Sequence, residues 1–263
     1  MSEQKGLAAS VRLLGREGFQ VVDAKVWATL ASLHNHGVFR VGGTLVGSHA
    51  FGVLINSLGA RTAAYATEDI DIARGARLAF ETETQADLLT VLGESGIDFV
   101  APPELDSRQP STSFGQRGHA RFKVDLLVPA KASELAIVPV PELRAHATSV
   151  PYLAYLVSQT QLVPVLAREG ACAVRTPTPE RFAVHKMLVS QLRRARSTRS
   201  AKDLLQACTL LAVLADTHPG AIEEAVERVP ASARRHLRAA LPQARDLLLP
   251  SHPRAQQALT EAA

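Results

Sequence analysis

Asp69-Ile70-Asp71-Ile72-Ala73 is the stretch on which the fold turns. Acidic and aliphatic residues alternate with period two, the pattern of a strand with one polar and one apolar face. Residues i and i+2 of a strand project to the same side, so both carboxylates stand side by side. Two carboxylates that close repel, which raises one pKa unless a cation neutralises them. A hard divalent ion does so through oxygen ligands while keeping positions for phosphate oxygens and water. Solvent-facing acids on an edge strand are enough to explain Asp-x-Asp taken alone.

Further along, Arg121-Phe122-Lys123-Val124-Asp125-Leu126-Leu127-Val128 alternates again and is the clearest strand signal in the chain. Phe122, Val124 and Leu126 form its apolar face, and Asp125 shares the other with Lys123 and Leu127. An acid centred in so apolar a strand is costly to bury without a counter-charge. Pairing with Lys123 or Arg121 is one solution. Serving as a third metal ligand beside Asp69 and Asp71 is the other.

Upstream, Val38-Phe39-Arg40-Val41 reads as a short strand ending in Gly42-Gly43-Thr44, after which Leu45, His49, Val53 and Leu54 recur at helical spacing. The preferred strand-to-helix junction is therefore Gly42-Gly43. Glycines there let a bulky anion approach the backbone, and the helix N-terminus offers free N–H groups and a favourable dipole. Ser48, one turn further in, adds a hydroxyl. Placing the turn at Gly47-Ser48 instead shortens the interval to Asp69 but leaves Gly42-Gly43 without a role. A plain tight turn also explains the glycines.

The remaining pattern predicts two helices over residues 6–36, broken near Gly15 and Gly18, and a helix over 84–93. A short strand is expected at 98–100 and an exposed loop over 102–118, rich in Pro, Ser, Gly and Gln. Further strands are expected at 152–157, 162–166 and 171–175, the last two forming a hairpin around Glu169-Gly170. Thr178-Pro179 caps a helix, and helices follow over 180–195, 201–215, 221–229 and 232–248. The tail from Pro250 is expected to fray. The chain thus divides into a mixed α/β domain over 1–177 with N-terminal helices, then an all-helical domain over 178–263.

In order, a glycine turn after a strand, Asp-x-Asp on the next strand and one Asp on a later strand resemble the DNA polymerase β superfamily of nucleotidyltransferases. The resemblance covers roughly residues 38–128. It implies an α/β (α+β) nucleotidyltransferase fold with a mixed sheet, transferring a nucleoside monophosphate from an NTP to an acceptor hydroxyl of nucleic acid, protein or small molecule. It further implies Asp69, Asp71 and Asp125 as catalytic metal ligands for two Mg2+ ions, with Mn2+ as the alternative, and Gly42, Gly43, Thr44 and Ser48 as nucleotide-binding. The interval from Gly43 to Asp69 is longer than that superfamily usually has, implying a longer helix or an insertion.

A second resemblance lies in residues 179–207, which are similar to the helical half of bacterial nucleotidyltransferase-fold proteins of unassigned substrate, and more distantly to abortive-infection type toxins. There Lys186 matches a lysine placed near the nucleotide phosphates; an exposed lysine on an amphipathic helix is the plainer reading. Ser200 and Asp203 fit a helix cap close to the capping box, and Arg193, Arg194, Arg196 and Arg199 suit a solvated helix terminus. The competing functions are a non-catalytic nucleotide or nucleic-acid binding module on the same fold and a toxin-type tRNA nucleotidyltransferase.

Bulk properties agree with these readings. A chain of 263 residues, 46% of them hydrophobic, has enough apolar surface for a sizeable core. A net charge of +4 suits a polyanionic partner such as RNA or nucleotide phosphates, and equally a soluble basic surface. Cys172 and Cys208 have no metal-ligand spacing. No signal-peptide pattern or membrane-spanning apolar run is present, so the expectation is a cytoplasmic protein without a membrane partner.

Overall fold

In the computed structural model the described residues are 2–62, 67–80, 87–103, 108–130, 136–192, 198–248 and 251–262. The chain opens with α1 (Ser2–Arg16) and α2 (Ala24–Asn35). Asp23 starts α2 because its carboxylate accepts the N–H groups of Lys25 and Val26, both at 2.9 Å. The helix then buries Val26, Leu30 and Leu33 along one face. Strand β1 (Gly43–Val46) leads directly into α3 (Gly47–Ser57), followed by β2 (Asp69–Arg74), α4 (Leu88–Gly93), β3 (Phe99–Val100), β4 (Ser113–Gln116) and β5 (His119–Pro129). Then come β6 (Ile137–Val140), a 3-10 turn at Pro141–Leu143, β7 (Ala145–Val150), α5 (Leu153–Val157), β8 (Thr160–Ala167) and β9 (Gly170–Pro177).

The chain divides into two compact units, Met1–Thr176 and Pro177–Ala263. The first is built on a mixed sheet ordered β1-β2-β5-β4-β3, in which β2 and β5 run parallel while β1 and β4 are antiparallel to their neighbours. One edge of β5 carries β2; the other is shared by β4 and, further along, β7, which also pairs with β6. Strand alternation decides what is buried. Phe122, Val124, Leu126 and Val128 of β5 are buried with Ile70 and Ile72 of β2, while Lys123, Asp125 and Leu127 are only partly covered. The β8–β9 hairpin forms a separate two-stranded sheet.

Beyond Asp71, the exit of β2 is fixed by a buried ion pair. Glu142 in the 3-10 turn accepts Arg74 Nε at 2.6 Å and the Leu78 N–H at 3.0 Å. Burial pushes this carboxyl up, but the Arg74 and Leu78 hydrogen bonds outweigh it and hold the group below its ordinary 4.5.

The second unit is helical: α6 (Pro179–Leu192), α7 (Thr198–Thr217), α8 (Ala221–Glu227), α9 (Arg234–Leu248) and α10 (Pro253–Ala262). Its core includes Phe182, Met187, Leu211 and Leu237. No helix among the described residues is long and apolar enough to cross a membrane.

Several expected elements differ. Residues 38–41 are not a strand. Val38 and Phe39 are buried within consecutive turns, closed by Val41 N–H to the Gly37 carbonyl at 3.0 Å and Gly43 N–H to the Val38 carbonyl at 2.8 Å. These apolar side chains plug the core without pairing edge to edge. The strand lies at Gly43–Val46, so the strand-to-helix junction falls at Gly47-Ser48 and not at Gly42-Gly43. Residues 153–157, expected as strand, are a short helix burying Leu153, Tyr155 and Leu156. The expected loop at 102–118 contains β4. The helix expected from residue 84 begins at Leu88, capped by Asp87, and residues 84–86 lie outside the described residues. The tail does not fray beyond Pro250: α10 buries Ala255 and Leu259.

Candidate active site

The site is built by one line of residues running across four strands. Val46 on β1 is partnered by Asp71 on β2, Asp71 by Asp125 on β5, and Asp125 by Ser113 on β4. Cross-strand partners point to the same sheet face, and adjacent strands lie about 4.8 Å apart. Asp71 and Asp125 therefore stand shoulder to shoulder. One same-face step back, Asp69 is partnered by Lys123. The face thus shows a square of three carboxylates and one ammonium.

Lys123 is the resident cation of that square. Its Nζ lies 2.5 Å from Asp125 Oδ2, while the Ser113 hydroxyl donates to Asp125 Oδ1. Both oxygens of Asp125 are thereby engaged. Partial burial works to lower the Lys123 pKa, but the hydrogen bond to Asp125 and the charges of Asp125, Asp69 and Asp71 outweigh it and raise it. The ammonium feels all three carboxylates, as a shared site requires.

The third wall is the start of α3. Gly47 has φ +67°, and a Cβ built on it would overlap the Asp71 carboxylate. The helix N-terminus and the acid are packed so closely that only glycine fits between them. Ser48 lies in the first turn, partly covered, and His49 follows it, buried. Gly42, Gly43 and Thr44 sit elsewhere. Gly43 begins β1, and Thr44 is buried on that strand, its hydroxyl donating to the Gly42 carbonyl at 3.1 Å.

In chemistry the three carboxylates offer oxygen donors, which suit a hard ion such as Mg2+. The set is not preformed. Among the described residues no group of three His, Cys, Asp or Glu side chains is arranged to hold a metal ion. A metal recruited to Asp125 would share its oxygens with Lys123 and Ser113.

A nucleotidyltransferase family sequence model matches residues 24–230, a span that contains every element of this site. The chain belongs to this nucleotidyltransferase family. Among solved structures it is similar to an antigenic nucleotidyltransferase-like protein from Paracoccidioides brasiliensis, at 14% identity and a TM-score of 0.42, covering 90% of this chain and 92% of that one. No curated protein matches the chain.

The helical unit has its own buried ion pair. Lys186 on α6 places Nζ 2.6 Å from Asp203 Oδ1 on α7, with both side chains largely shielded from water. Helix α7 starts at Thr198, so Asp203 is an interior residue and not part of a cap on Ser200, whose hydroxyl donates instead to the Ser190 carbonyl at 2.7 Å. Of the basic stretch, Arg193, Arg194 and Arg196 lie outside the described residues. Removing one member of a buried pair strands the other charge. Lys186→Met is expected to lower unfolding stability by about 3 kcal/mol, and adding Asp203→Leu to recover most of it. Chemical denaturation of the single and double variants checks this; a neutral Lys186→Met would show that the pair does not hold the unit together.

Sequence reasoning missed Ser113 and undervalued Gly47. Ser113 lies in a segment without hydrophobic alternation. The signal for Gly47 was the short interval to Asp69 and the helical spacing that follows it.

Proposed function

We propose that this chain transfers a nucleoside monophosphate from an NTP to an acceptor hydroxyl in a metal-dependent reaction, as members of the DNA polymerase β superfamily do. The observation that carries the reading is Asp71 and Asp125 on one rung of parallel strands, with Asp69 one step along the same face and the N-terminus of α3 against Asp71. Asp69 and Asp71 would hold Mg2+, or Mn2+ in its place, and Asp125 would help hold a second ion. When bound, the metal neutralises phosphate charge and lowers the pKa of the acceptor hydroxyl.

The rest falls to the chain's own groups. The N–H groups of the first turn of α3, with the Ser48 hydroxyl, face phosphate oxygens and complement their charge. Lys123, beside Asp125, stays within reach of charge that develops on the leaving phosphates. The acceptor hydroxyl loses its proton to solvent, its oxygen attacks the α-phosphorus in line, the new P–O bond forms, and the bond to pyrophosphate breaks. Lys186 is committed to Asp203, so phosphate contact is assigned first to α3 and Lys123.

The Lys123–Asp125 pair favours one second reading, a nucleotide-binding module without turnover, because the ammonium already satisfies the third carboxylate. Incubating the full chain with each α-labelled NTP, Mg2+ and bulk RNA separates the two. Pyrophosphate release with label transfer, abolished by EDTA, is the expected result. Mg2+-dependent nucleotide binding without pyrophosphate release, with RNA, protein and small-molecule hydroxyls all offered, would sink the transfer reading.

A further inference from the structure

A polar pocket of about 330 Å3 lies at the far end of β1 and β2, where Gly42, Thr44, Arg77, Ser158, Thr160 and Arg175 line it. Among the described residues no carboxylate lines it. Arg175, half-buried on β9, donates Nε to the Phe39 carbonyl at 2.9 Å and Nη1 to the Thr160 hydroxyl at 3.1 Å, both neutral acceptors. Arg77, on the exposed segment after β2, makes no ion pair among the described residues. A guanidinium partly removed from water and bonded only to neutral groups keeps a desolvation cost that an anion would offset. This fork, the exposed fork of Arg77 and the Thr160 hydroxyl suit the tetrahedral oxygens of phosphate, while the Ser158 hydroxyl donates to the Tyr155 carbonyl at 2.8 Å.

Position links the pocket to the carboxylates. Thr44 is partnered by Ala73 and Val46 by Asp71, so Thr44 lies on the same sheet face as Asp71, one two-residue step away. That step is roughly 7 Å, and the pocket extends beyond it. Gly42, with φ +112°, turns the chain into the pocket in a conformation that other residues rarely adopt. The glycine turn that the sequence suggested for phosphate thus lines this pocket, while α3 begins five residues later.

We propose that this pocket binds a phosphate group carried by the acceptor, which makes the acceptor a phosphate ester and not a neutral alcohol or an unmodified protein side chain. The assignment to the acceptor rests on the transfer reading; the anion site itself does not. The test uses the full chain, Arg77→Glu and Asp71→Ala, titrated with inorganic phosphate, with a short RNA bearing or lacking a 5′-phosphate, and with a non-hydrolysable NTP. Arg77 is exposed, so its substitution leaves the fold intact, and thermal melting verifies this.

The expected result is phosphate and 5′-phosphorylated RNA binding that weakens about tenfold or more in Arg77→Glu and is retained in Asp71→Ala. Equal binding by wild type and Arg77→Glu overturns the site. Arg77-dependent binding of the NTP in place of the phosphorylated RNA overturns the acceptor assignment and gives the pocket to the donor's phosphates. Arg77-dependent binding of phosphorylated RNA in a chain that releases no pyrophosphate upholds the pocket while the transfer reading fails.

Discussion

Asp71→Ala is expected to lower nucleotidyl transfer by on the order of 10³-fold or more while leaving the protein folded. Asp71 is the hinge of the site: it pairs across to Asp125, shares its face with Asp69, and abuts the first residue of α3. Its loss removes the central carboxylate beside the proposed ions, so the triphosphate and the attacking hydroxyl are no longer aligned, even where the acceptor still binds through its phosphate. The folding cost is small. Asp71 is partly covered, and a single acid at a helix N-terminus contributes about 0.3–1 kcal/mol. Asp71→Asn distinguishes charge from shape, because it preserves the volume against Gly47 yet provides a weaker metal ligand. Rates of label transfer and melting curves for the two variants check both halves. Transfer that persists at the wild-type rate in either variant would place the chemistry elsewhere.

How far the sequence could be read depended on burial symmetry. At 69–73 and 121–128 one strand face is buried and the other is not, so period-two alternation identified both strands and the face shared by Asp69 and Asp71. Nothing in either stretch revealed that Asp71 and Asp125 share a rung, since register depends on partners distant in sequence. At 43–46 all four residues are buried, and a strand covered on both faces loses its alternation. The β-branched residues Val38 and Val41 were the stronger local signal, yet they fold into turns because tertiary burial overrides strand propensity. Residues 153–157 were too short an apolar run to distinguish helix from strand. The polar β4, carrying Ser113, had no apolar period to read. Lys123 was visible as a partner for Asp125, and its proximity to all three carboxylates emerged only from the paired strands.

Gly47 offers the other large effect, one that links fold and site in a single measurement. Gly47→Ala adds a methyl that overlaps the Asp71 carboxylate, at a backbone φ of +67° where alanine is already strained. The left-handed conformation costs about 1 kcal/mol and the overlap a further 1–2, so a loss of about 2–3 kcal/mol is expected by denaturant unfolding. Transfer should fall together with stability, because the acid and the start of α3 must move apart. The two costs separate in a double-mutant cycle. In an Asp71→Ala background the methyl meets no carboxylate, and Gly47→Ala should cost the backbone strain and the smaller crowding against the Cβ of residue 71, 3.2 Å away. A coupling of about 1–2 kcal/mol between the positions is therefore expected. Gly42→Ala is the control: its φ of +112° is also strained, but its Cβ comes within van der Waals contact of Leu78 alone and should show no coupling to Asp71. Additive effects of Gly47→Ala and Asp71→Ala would mean that α3 does not press on the carboxylate. The helix would then lose its proposed role as the wall that seats the phosphates beside Asp71.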